Sequence, residues 1–125
     1  MGPGKPVLMD LFPGEIYLAF DGAGGHRPFV VLSRAELNRG QYFLAVPFTT
    51  ARLDERRSLP NCVPFTKGSF GLSKDCVAQA EVLTMLRKSD LLTPPVPIGT
   101  VSADKLARLI CAIGYVISAE CHPAA

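Results

Sequence analysis

Residues 14–33 read GEIYLAFDGAGGHRPFVVLS, which predicts a strand, a glycine-rich loop and a second strand. In the first strand, residues 14–20, apolar side chains recur at every second position, and a period of two is typical of a strand with one buried face. Ile16, Leu18 and Phe20 would form that face. The glycines of the loop permit positive φ angles and let a ligand approach the backbone closely. The valine-rich run at residues 29–32 is too short for a helix and predicts the second strand.

Arg27 stands between this loop and the second strand. Pro28 follows it, and a residue before proline is restricted to extended backbone. A guanidinium is always charged and carries five donors. We therefore predict that Arg27 is held at a fixed place on the rim of the loop, where it suits a phosphate. The alternative is an ordinary salt bridge at a strand end, the commoner role of an arginine.

The composition indicates one globular domain, because the chain has 125 residues and 48% of them are hydrophobic. A formal net charge of +2 permits a nucleic-acid partner but does not argue for one, since dedicated binders usually carry a stronger basic stripe. No apolar run reaches membrane-spanning length, so no membrane partner is expected. The first residues lack the apolar segment and cleavage site of a signal peptide, and we predict a cytoplasmic protein.

The four cysteines, Cys62, Cys76, Cys111 and Cys121, contain no C-x-x-C pair, and the chain has only two histidines. This spacing disfavours a zinc site, and we expect neither a metal nor an organic cofactor. Without a secretion signal, we predict that the thiols are reduced. Cys111 lies in a helical pattern and is expected to fill space in the core.

Beyond residue 33 the sequence predicts a short helical turn at 34–40, capped by Ser33, and then further strands. These strands cover residues 41–50, 62–65, 76–86 and 98–101. Residues 51–61 are charged without a helical face and are predicted as a mobile surface loop. Its arginines are either simply solvated, which we favour, or steer a substrate.

A helix is predicted after Ser102, a favourable N-cap residue, with Asp104 in its first turn. Apolar residues then recur at helical spacing, which indicates an amphipathic helix lying on the sheet. Its apolar face would contain Leu106, Leu109, Ile110, Ile113, Val116 and Ile117.

The predicted fold is mainly β, of the α+β class: a small barrel or strongly curved antiparallel sheet with one C-terminal amphipathic helix. We divide the chain into a flexible N-terminal lead at residues 1–12, a single barrel domain at 13–119 and a C-terminal tail at 120–125.

Five short motifs together resemble the MazF/PemK family of type II toxin–antitoxin endoribonucleases, within the CcdB/MazF/PemK superfamily. They are GEI at 14–16, GHRP at 25–28, AVPFTT at 45–50, CVAQAE at 76–81 and IG at 98–99. Their order and spacing carry the resemblance over roughly residues 13–117. It implies an SH3-like barrel of strongly curved strands that usually forms a homodimer. The partner copy would cover exposed apolar side chains, for which Phe43, Leu109 and Ile113 are candidates.

The resemblance also implies a set of site residues. Arg27, Thr49 and Glu81 are the expected catalytic residues, with His26 as a further possibility for acid or base work. Thr49 is preferred to Thr50, which points to the other face of a regular strand. For Glu81, a proton carrier and an ordinary surface glutamate are equally supported, and for His26 we favour a spectator role. The expected RNA-binding residues are Gly24, Gly25, His26, Arg27, Thr50, Arg52, Arg56 and Gln79.

Two departures from the family pattern concern the acid and base groups. The family loop often reads Gly-Ser-Glu-Gln before Gly-X-Arg-Pro, whereas residues 21–25 here are shorter and lack that glutamate. Arginines that the family carries near the strand acid are replaced by Gln79 and Thr84. Low activity or a different cut sequence would be consistent with both changes.

The function implied is that of a toxin cutting single-stranded RNA at selected sequences, without metal, through attack of the 2′-hydroxyl. The implied partners are single-stranded RNA, a cognate antitoxin and a second copy of the chain, with DNA reached only through the antitoxin. The alternative is a non-catalytic toxin like CcdB, or a barrel module that binds protein or nucleic acid. Arg27 and Thr49 favour the nuclease over these alternatives.

Overall fold

The computed structural model describes residues 9–118. Within these residues the chain forms a strongly curled antiparallel sheet with one long helix near its C-terminus. The strands are β1 (Glu15–Phe20), β2 (His26–Val31), β3 (Tyr42–Thr49), β4 (Cys62–Phe65), β5 (Cys76–Gln79), β6 (Thr84–Arg87) and β7 (Gly99–Thr100). The α-helices are α1 (Leu53–Arg56) and α2 (Ala103–Val116). This architecture confirms the predicted fold class.

The strands follow the order β4-β5-β3-β2-β1-β7, and β6 pairs with β3 outside this path. β6 pairs with the first half of β3, from Tyr42 to Ala45. β5 instead pairs with the far end of β3, at Phe48 and Thr49. β3 therefore has two successive neighbours, β6 and then β5, along one edge.

The sheet is buried on both faces, because alternate residues of the central strands enter two separate apolar clusters. In β1, Ile16 packs in the cluster beneath α2, whereas Tyr17 and Ala19 pack in the cluster on the other face. In β2, Val30 packs in the cluster beneath α2, whereas Phe29 and Val31 pack in the cluster on the other face. The predicted single buried face of β1 is therefore wrong: Phe20 is 46% exposed and Leu18 is only partly buried.

Two segments have more structure than the sequence predicted. The strand expected at residues 76–86 is broken by a 3₁₀ turn at Ala80–Val82, which separates β5 from β6. This break lets the two strands pair with different parts of β3. The predicted loop at residues 51–61 contains α1, whose four residues are held by hydrogen bonds such as that from the Arg57 N–H to the Leu53 carbonyl.

Helix α2 begins where the sequence predicted, and the Ser102 hydroxyl accepts a hydrogen bond from the Lys105 N–H at 3.2 Å. Leu109 is fully buried, and Leu106, Ile113 and Val116 pack against the same cluster. Ile110 and Ile117 are 56% and 65% exposed, so their predicted place on the buried face is wrong. Ala112 is buried in this cluster, although the predicted apolar face did not include it.

The N-terminal boundary of the packed domain lies earlier than residue 13. Leu11 is fully buried, and its carbonyl accepts a hydrogen bond from the buried amide of Asn38. The Met9 carbonyl accepts another from Lys88. Residues 9–12 were assigned to the lead but pack with the domain. The rest of the lead and the tail at 120–125 lie outside the described residues.

The turn after β2 is a 3₁₀ helix, Ala35–Arg39, without a side-chain cap. Ser33, predicted as that cap, instead donates to the Asn38 side chain and accepts from the Leu44 N–H. No helix among residues 9–118 is both long and apolar enough to cross a membrane.

Cys62 and Cys76 are buried free thiols, as predicted for reduced cysteines. Cys111 forms a disulfide, so the prediction of a reduced thiol filling the core is wrong at this position. Cys121 lies outside the described residues.

Two backbone segments approach each other at Gly71 and Gly99, where the loop after β4 meets β7. A Cβ atom on Gly99 would lie 1.9 Å from the Phe70 carbonyl oxygen, and one on Gly71 would lie 2.0 Å from the Ile98 carbonyl oxygen. Neither position has room for a side chain, because the obstructing atoms belong to the backbone.

We expect Gly99→Ala to destabilise the protein by about 3 kcal/mol, since overpacking against a backbone requires the strand to move. Gly40→Ala is the matched control, because a Cβ atom there would meet nothing within 4 Å. Urea denaturation should lower the midpoint for the first variant and leave it nearly unchanged for the second. Equal midpoints would contradict the close approach.

Candidate functional site

A cleft of about 590 Å³ opens between the β1–β2 loop, the end of β3 and the segment that precedes β5. Its apolar part is formed by side chains that include Leu18, Phe48, Leu72 and Ile98. Its polar and charged lining residues are Asp21, His26, Arg27, Thr49, Thr50, Ser73 and Lys74. The fold thus brings together polar residues that are up to 53 positions apart in the sequence, from Asp21 to Lys74.

Arg27 is the second residue of β2, next to the glycine-rich loop, and it pairs with Ala19 of β1. Its side chain is 42% exposed, and its Nε lies 3.6 Å from Asp21 Oδ2. The predicted alternatives, a salt bridge and a phosphate-binding cation, are therefore both compatible with this geometry. The pairing in the sheet holds the backbone, and the carboxylate aligns the guanidinium.

Asp21 is a site residue that the sequence analysis missed. Its Oδ1 accepts a hydrogen bond from the Ala23 N–H at 2.8 Å and a longer one from the Gly25 N–H at 3.4 Å. These backbone donors, chiefly that of Ala23, hold the pKa of the carboxyl below its usual value, and the charge of Arg27 adds to the effect. The signal in the sequence was an aspartate opening a glycine-rich turn, where its side chain can bond the backbone two residues on.

Both threonines at the end of β3 line the cleft. Thr49 is the last residue of the strand, and its Oγ1 accepts a hydrogen bond from the Ala51 N–H at 3.2 Å. The strand ends at this point, so the alternation of side chains does not separate Thr49 from Thr50. Two hydroxyl groups therefore face the same space as Arg27.

His26 is the first residue of β2 and lines the cleft beside Arg27. Its ring meets Phe20 edge-on, with 6.3 Å between the ring centroids. The imidazole is exposed, so a ligand in the cleft has access to it.

Lys74 and Ser73 also line the cleft and were not selected from the sequence. They lie in the irregular segment between Leu72 and β5, where neither periodicity nor a motif distinguishes a lysine from any solvated one. Lys74 gives the cleft a second cation.

Cys76 contributes to the same wall. Burial, followed by the charge of Asp75, raises the pKa of its thiol to about 11. The thiol therefore stays protonated at neutral pH and is not an activated nucleophile.

Glu81 is not among the residues that line the cleft. It lies in the 3₁₀ turn after β5, where Asn61 donates to Oε1 at 2.8 Å and Gln79 donates to Oε2 at 3.1 Å. Gln79, predicted to bind RNA, is itself buried. Both side chains belong to a polar cluster that joins the start of β4 to the end of β5.

Of the other predicted RNA-binding residues, His26, Arg27 and Thr50 line the cleft, and four lie outside its lining. Gly24 and Gly25 are exposed in the β1–β2 loop. Arg52 forms a 2.7 Å ion pair with Glu55, and Arg56 donates to the Ala51 carbonyl at 3.2 Å. These two arginines stabilise the α1 segment.

Across residues 9–118, no group of three or more His, Cys, Asp and Glu side chains could hold a metal ion. The cleft instead combines two cations, hydroxyl groups, an imidazole and an ionised carboxylate. Such a set can hold a phosphate group and transfer a proton.

Comparison with solved structures gives the same fold in toxins that are between 20% and 25% identical in sequence. An endoribonuclease bound to its cognate antitoxin, from a mycobacterial species, matches with a TM-score of 0.71 and 23% identity, over 86% of this chain and 95% of its own. The Mycobacterium tuberculosis toxin MazF-mt6 matches with a TM-score of 0.71 and 23% identity, over 85% and 98%. A MazE–MazF complex from Deinococcus radiodurans matches with a TM-score of 0.70 and 22% identity, over 90% and 99%.

A search of curated proteins gave no significant match. A family model does match, over residues 12–117, and it describes the PemK-like, MazF-like toxins of type II toxin–antitoxin systems. This match covers nearly the whole described domain, including every residue of the cleft. The chain therefore belongs to the PemK-like, MazF-like family of type II toxin–antitoxin toxins.

Proposed function

We propose that this toxin is an endoribonuclease that cuts single-stranded RNA at selected sequences without a metal ion. The observation that carries the proposal is the position of the Arg27 guanidinium, in an open cleft that also contains the Thr49 hydroxyl. Family membership supports it, as do the solved neighbours that are named endoribonucleases.

The proposed reaction is an internal transfer at phosphorus. The 2′-oxygen forms a bond to the phosphorus atom as the bond from phosphorus to the 5′-oxygen breaks. A base accepts the 2′-hydroxyl proton, and an acid gives a proton to the leaving 5′-oxygen. The products are a 2′,3′-cyclic phosphate and a 5′-hydroxyl. The protein must also stabilise the negative charge that grows on the phosphate oxygens.

Arg27 is the group best placed for that charge, because its guanidinium can bond two phosphate oxygens at once. Thr49 would position the same phosphate through its hydroxyl. Lys74, on the opposite segment of the cleft lining, would supply the second positive charge. The cleft therefore offers, from its own side chains, the charge stabilisation that a metal ion provides in other nucleases.

His26 is our choice for proton transfer, since it lines the cleft and Glu81 does not. Imidazole chemistry suits this role near neutral pH. Asp21 is a positioning residue in this scheme. Its lowered pKa makes it a weak base, and its carboxylate aligns Arg27.

A cognate antitoxin is the expected protein partner, in keeping with the family and with neighbours solved as toxin–antitoxin complexes. We propose that a disordered acidic and apolar tail of the antitoxin occupies the Arg27 cleft. Its carboxylates would take the place of substrate phosphates.

Arg27→Ala should reduce the rate of RNA cleavage about a hundred- to a thousand-fold, since one preorganised charge donor is lost. Arg27→Lys should restore little, because a point charge does not grip two oxygens. The measurement is a cleavage time course in EDTA, with product ends mapped on a defined RNA. Arg34→Ala is the control, an exposed arginine outside the cleft lining.

Full activity of a folded Arg27→Ala protein would refute the assignment. Cleavage that EDTA abolishes and magnesium restores would refute metal independence. Binding of RNA by the wild type without any cleavage would favour the non-catalytic alternative.

The pH dependence separates the roles of His26 and Asp21. Because its pKa lies below the ordinary carboxyl value, Asp21 stays ionised between pH 5 and pH 9. Asp21→Asn should therefore lower kcat about ten- to a hundred-fold at every pH in this range, without changing the shape of the profile. Asp21→Glu should recover part of the loss. His26→Gln should lower kcat about a hundred-fold and remove one limb of the profile. If Asp21→Asn changed the shape of the pH profile and His26→Gln did not, the two residues would have exchanged roles.

We also propose that the toxin is a homodimer, although the apolar surface differs from the one predicted. Phe43 and Leu109 are buried within the chain, and Ile113 packs against the core. Exposed apolar side chains instead meet across β3 and β6, where Leu44 pairs with Met85. These are 40% and 61% exposed.

Met85→Asp should therefore convert the dimer to a monomer in sedimentation at micromolar concentration. A carboxylate at this exposed position in both copies opposes association without entering the core. Ile110→Lys, on the outer side of α2, is the control for an exposed apolar residue elsewhere. A wild type of monomer mass would contradict the dimer. Loss of the dimer only in the control would place the interface on the helix.

A further inference from the structure

A second pocket of about 330 Å³ lies behind the cleft, between α1, the end of β4 and the first turn of α2. Its polar lining includes Arg57, Thr66, Ser69, Asp75 and Lys105. None of these residues belongs to the cleft or to the proposed reaction.

The pocket and the cleft share a wall. Cys76 lines both, and just before it in the chain Lys74 lines the cleft and Asp75 lines the pocket. Thr49 and Thr50 line the cleft, and Leu53 and Arg57 line the pocket a few residues later. An extended ligand that leaves the cleft along this segment therefore reaches the pocket.

Lys105 has a fixed position at the pocket. Its Nζ donates a hydrogen bond of 2.6 Å to the Pro64 carbonyl and lies 4.8 Å from the centroid of the Phe65 ring. These contacts hold the ammonium group in place and leave further donors for a ligand.

Arg57 provides the second cation. Its ion pair with Asp54 is 3.5 Å long, and the Asp54 side chain is almost fully exposed. Such surface pairs contribute little and exchange readily for a better partner. The carboxylate of Asp75 accepts the Lys67 N–H at 2.7 Å, and it is outnumbered by the two cations.

We propose that this pocket binds a backbone phosphate of the RNA strand outside the bond that is cut. The inference rests on the proposed nuclease function. Arg57 and Lys105 would hold the phosphate, and the Thr66 hydroxyl would donate a hydrogen bond to it. The site would anchor the strand and thereby select substrates that extend beyond the cleft.

We choose a phosphate over a protein segment because of the two cations in the lining, Arg57 and Lys105. Phe65 is buried beneath Lys105. The pocket also has a partly exposed apolar wall, formed by Leu53, Pro64 and Phe70. A protein segment remains an outcome of the test.

The test measures equilibrium binding of a fluorescent fifteen-nucleotide RNA at several salt concentrations. Arg27→Ala protein serves as the parent, so that the RNA stays intact. A phosphate contact to single-stranded nucleic acid contributes about 0.7 to the slope of log K against log salt. Arg57→Gln combined with Lys105→Gln should lower the magnitude of the slope by about 0.7 and weaken binding several-fold at low salt.

Arg108→Gln is the matched control for Lys105→Gln, because each substitution removes one positive charge from α2. Arg108 is exposed and is near enough to Lys105 to lower its pKa, after the larger effect of burial. The control should keep the parental slope. If Lys105→Gln lowers the melting temperature, the single Arg57→Gln variant decides the matter, since it leaves the Lys105 contacts intact.

An unchanged slope in the double variant, or an equal loss in Arg108→Gln, would overturn the inference. Loss of binding to a decaglutamate peptide, with RNA binding unchanged, would also overturn it and assign the pocket to a protein segment. Wild-type protein that does not cut RNA would refute the nuclease function, while a reduced RNA slope in the double variant would still support the phosphate site.

Discussion

The pairing of β3 is the constraint on which the rest of the structure depends. This strand hydrogen-bonds to β2 on one edge and to both β6 and β5 on the other. The two partners on that edge are successive segments of the chain, and a 3₁₀ turn separates β5 from β6 in the curled sheet. The curl places the end of β3, with its two threonines, opposite the β1–β2 loop, and the cleft is the space between them.

The charged groups of the cleft depend on this backbone frame. Arg27 is held in β2 by its pairing with β1, and Asp21 is held by the turn that joins the same two strands. The two side chains meet because the hairpin returns the chain upon itself. A hydrogen-bonded carboxylate with a lowered pKa is a durable partner for an arginine, and it leaves much of the guanidinium open to the cleft. The result is a cation whose direction is set before any substrate arrives, which is what electrostatic catalysis requires.

The same reasoning distinguishes the cleft from the polar cluster around Glu81. In that cluster the carboxylate is bonded by two amide groups, from Asn61 and Gln79, that join neighbouring strands. Its partners are uncharged amide groups, and its hydrogen bonds connect neighbouring strands, so the cluster stabilises the fold.

The close backbone approach at Gly71 and Gly99 also stabilises the fold, since it fixes Ile98 and the segment before β5 at the wall of the cleft. The IG motif at residues 98–99, which precedes α2 in the sequence, therefore contributes through backbone packing.

The sequence by itself determined the fold class, the central hairpin and the capped start of α2, and it selected Arg27 and Thr49, which line the cleft. These features depend on local rules: period-two patterning, turn chemistry, an N-cap hydroxyl and short motifs in a known order. The tertiary structure alone decided that β1 is buried on both faces, that Ile110 and Ile117 face outward, and that residues 76–86 form two strands. It also decided which polar residues meet. Asp21 and Lys74 are 53 positions apart and line one cleft, whereas Glu81, the last residue of the motif at 76–81, lies outside it. The physical reason is that local patterns specify the state of each segment, but the meeting of distant side chains depends on how the curled sheet brings its strand ends together.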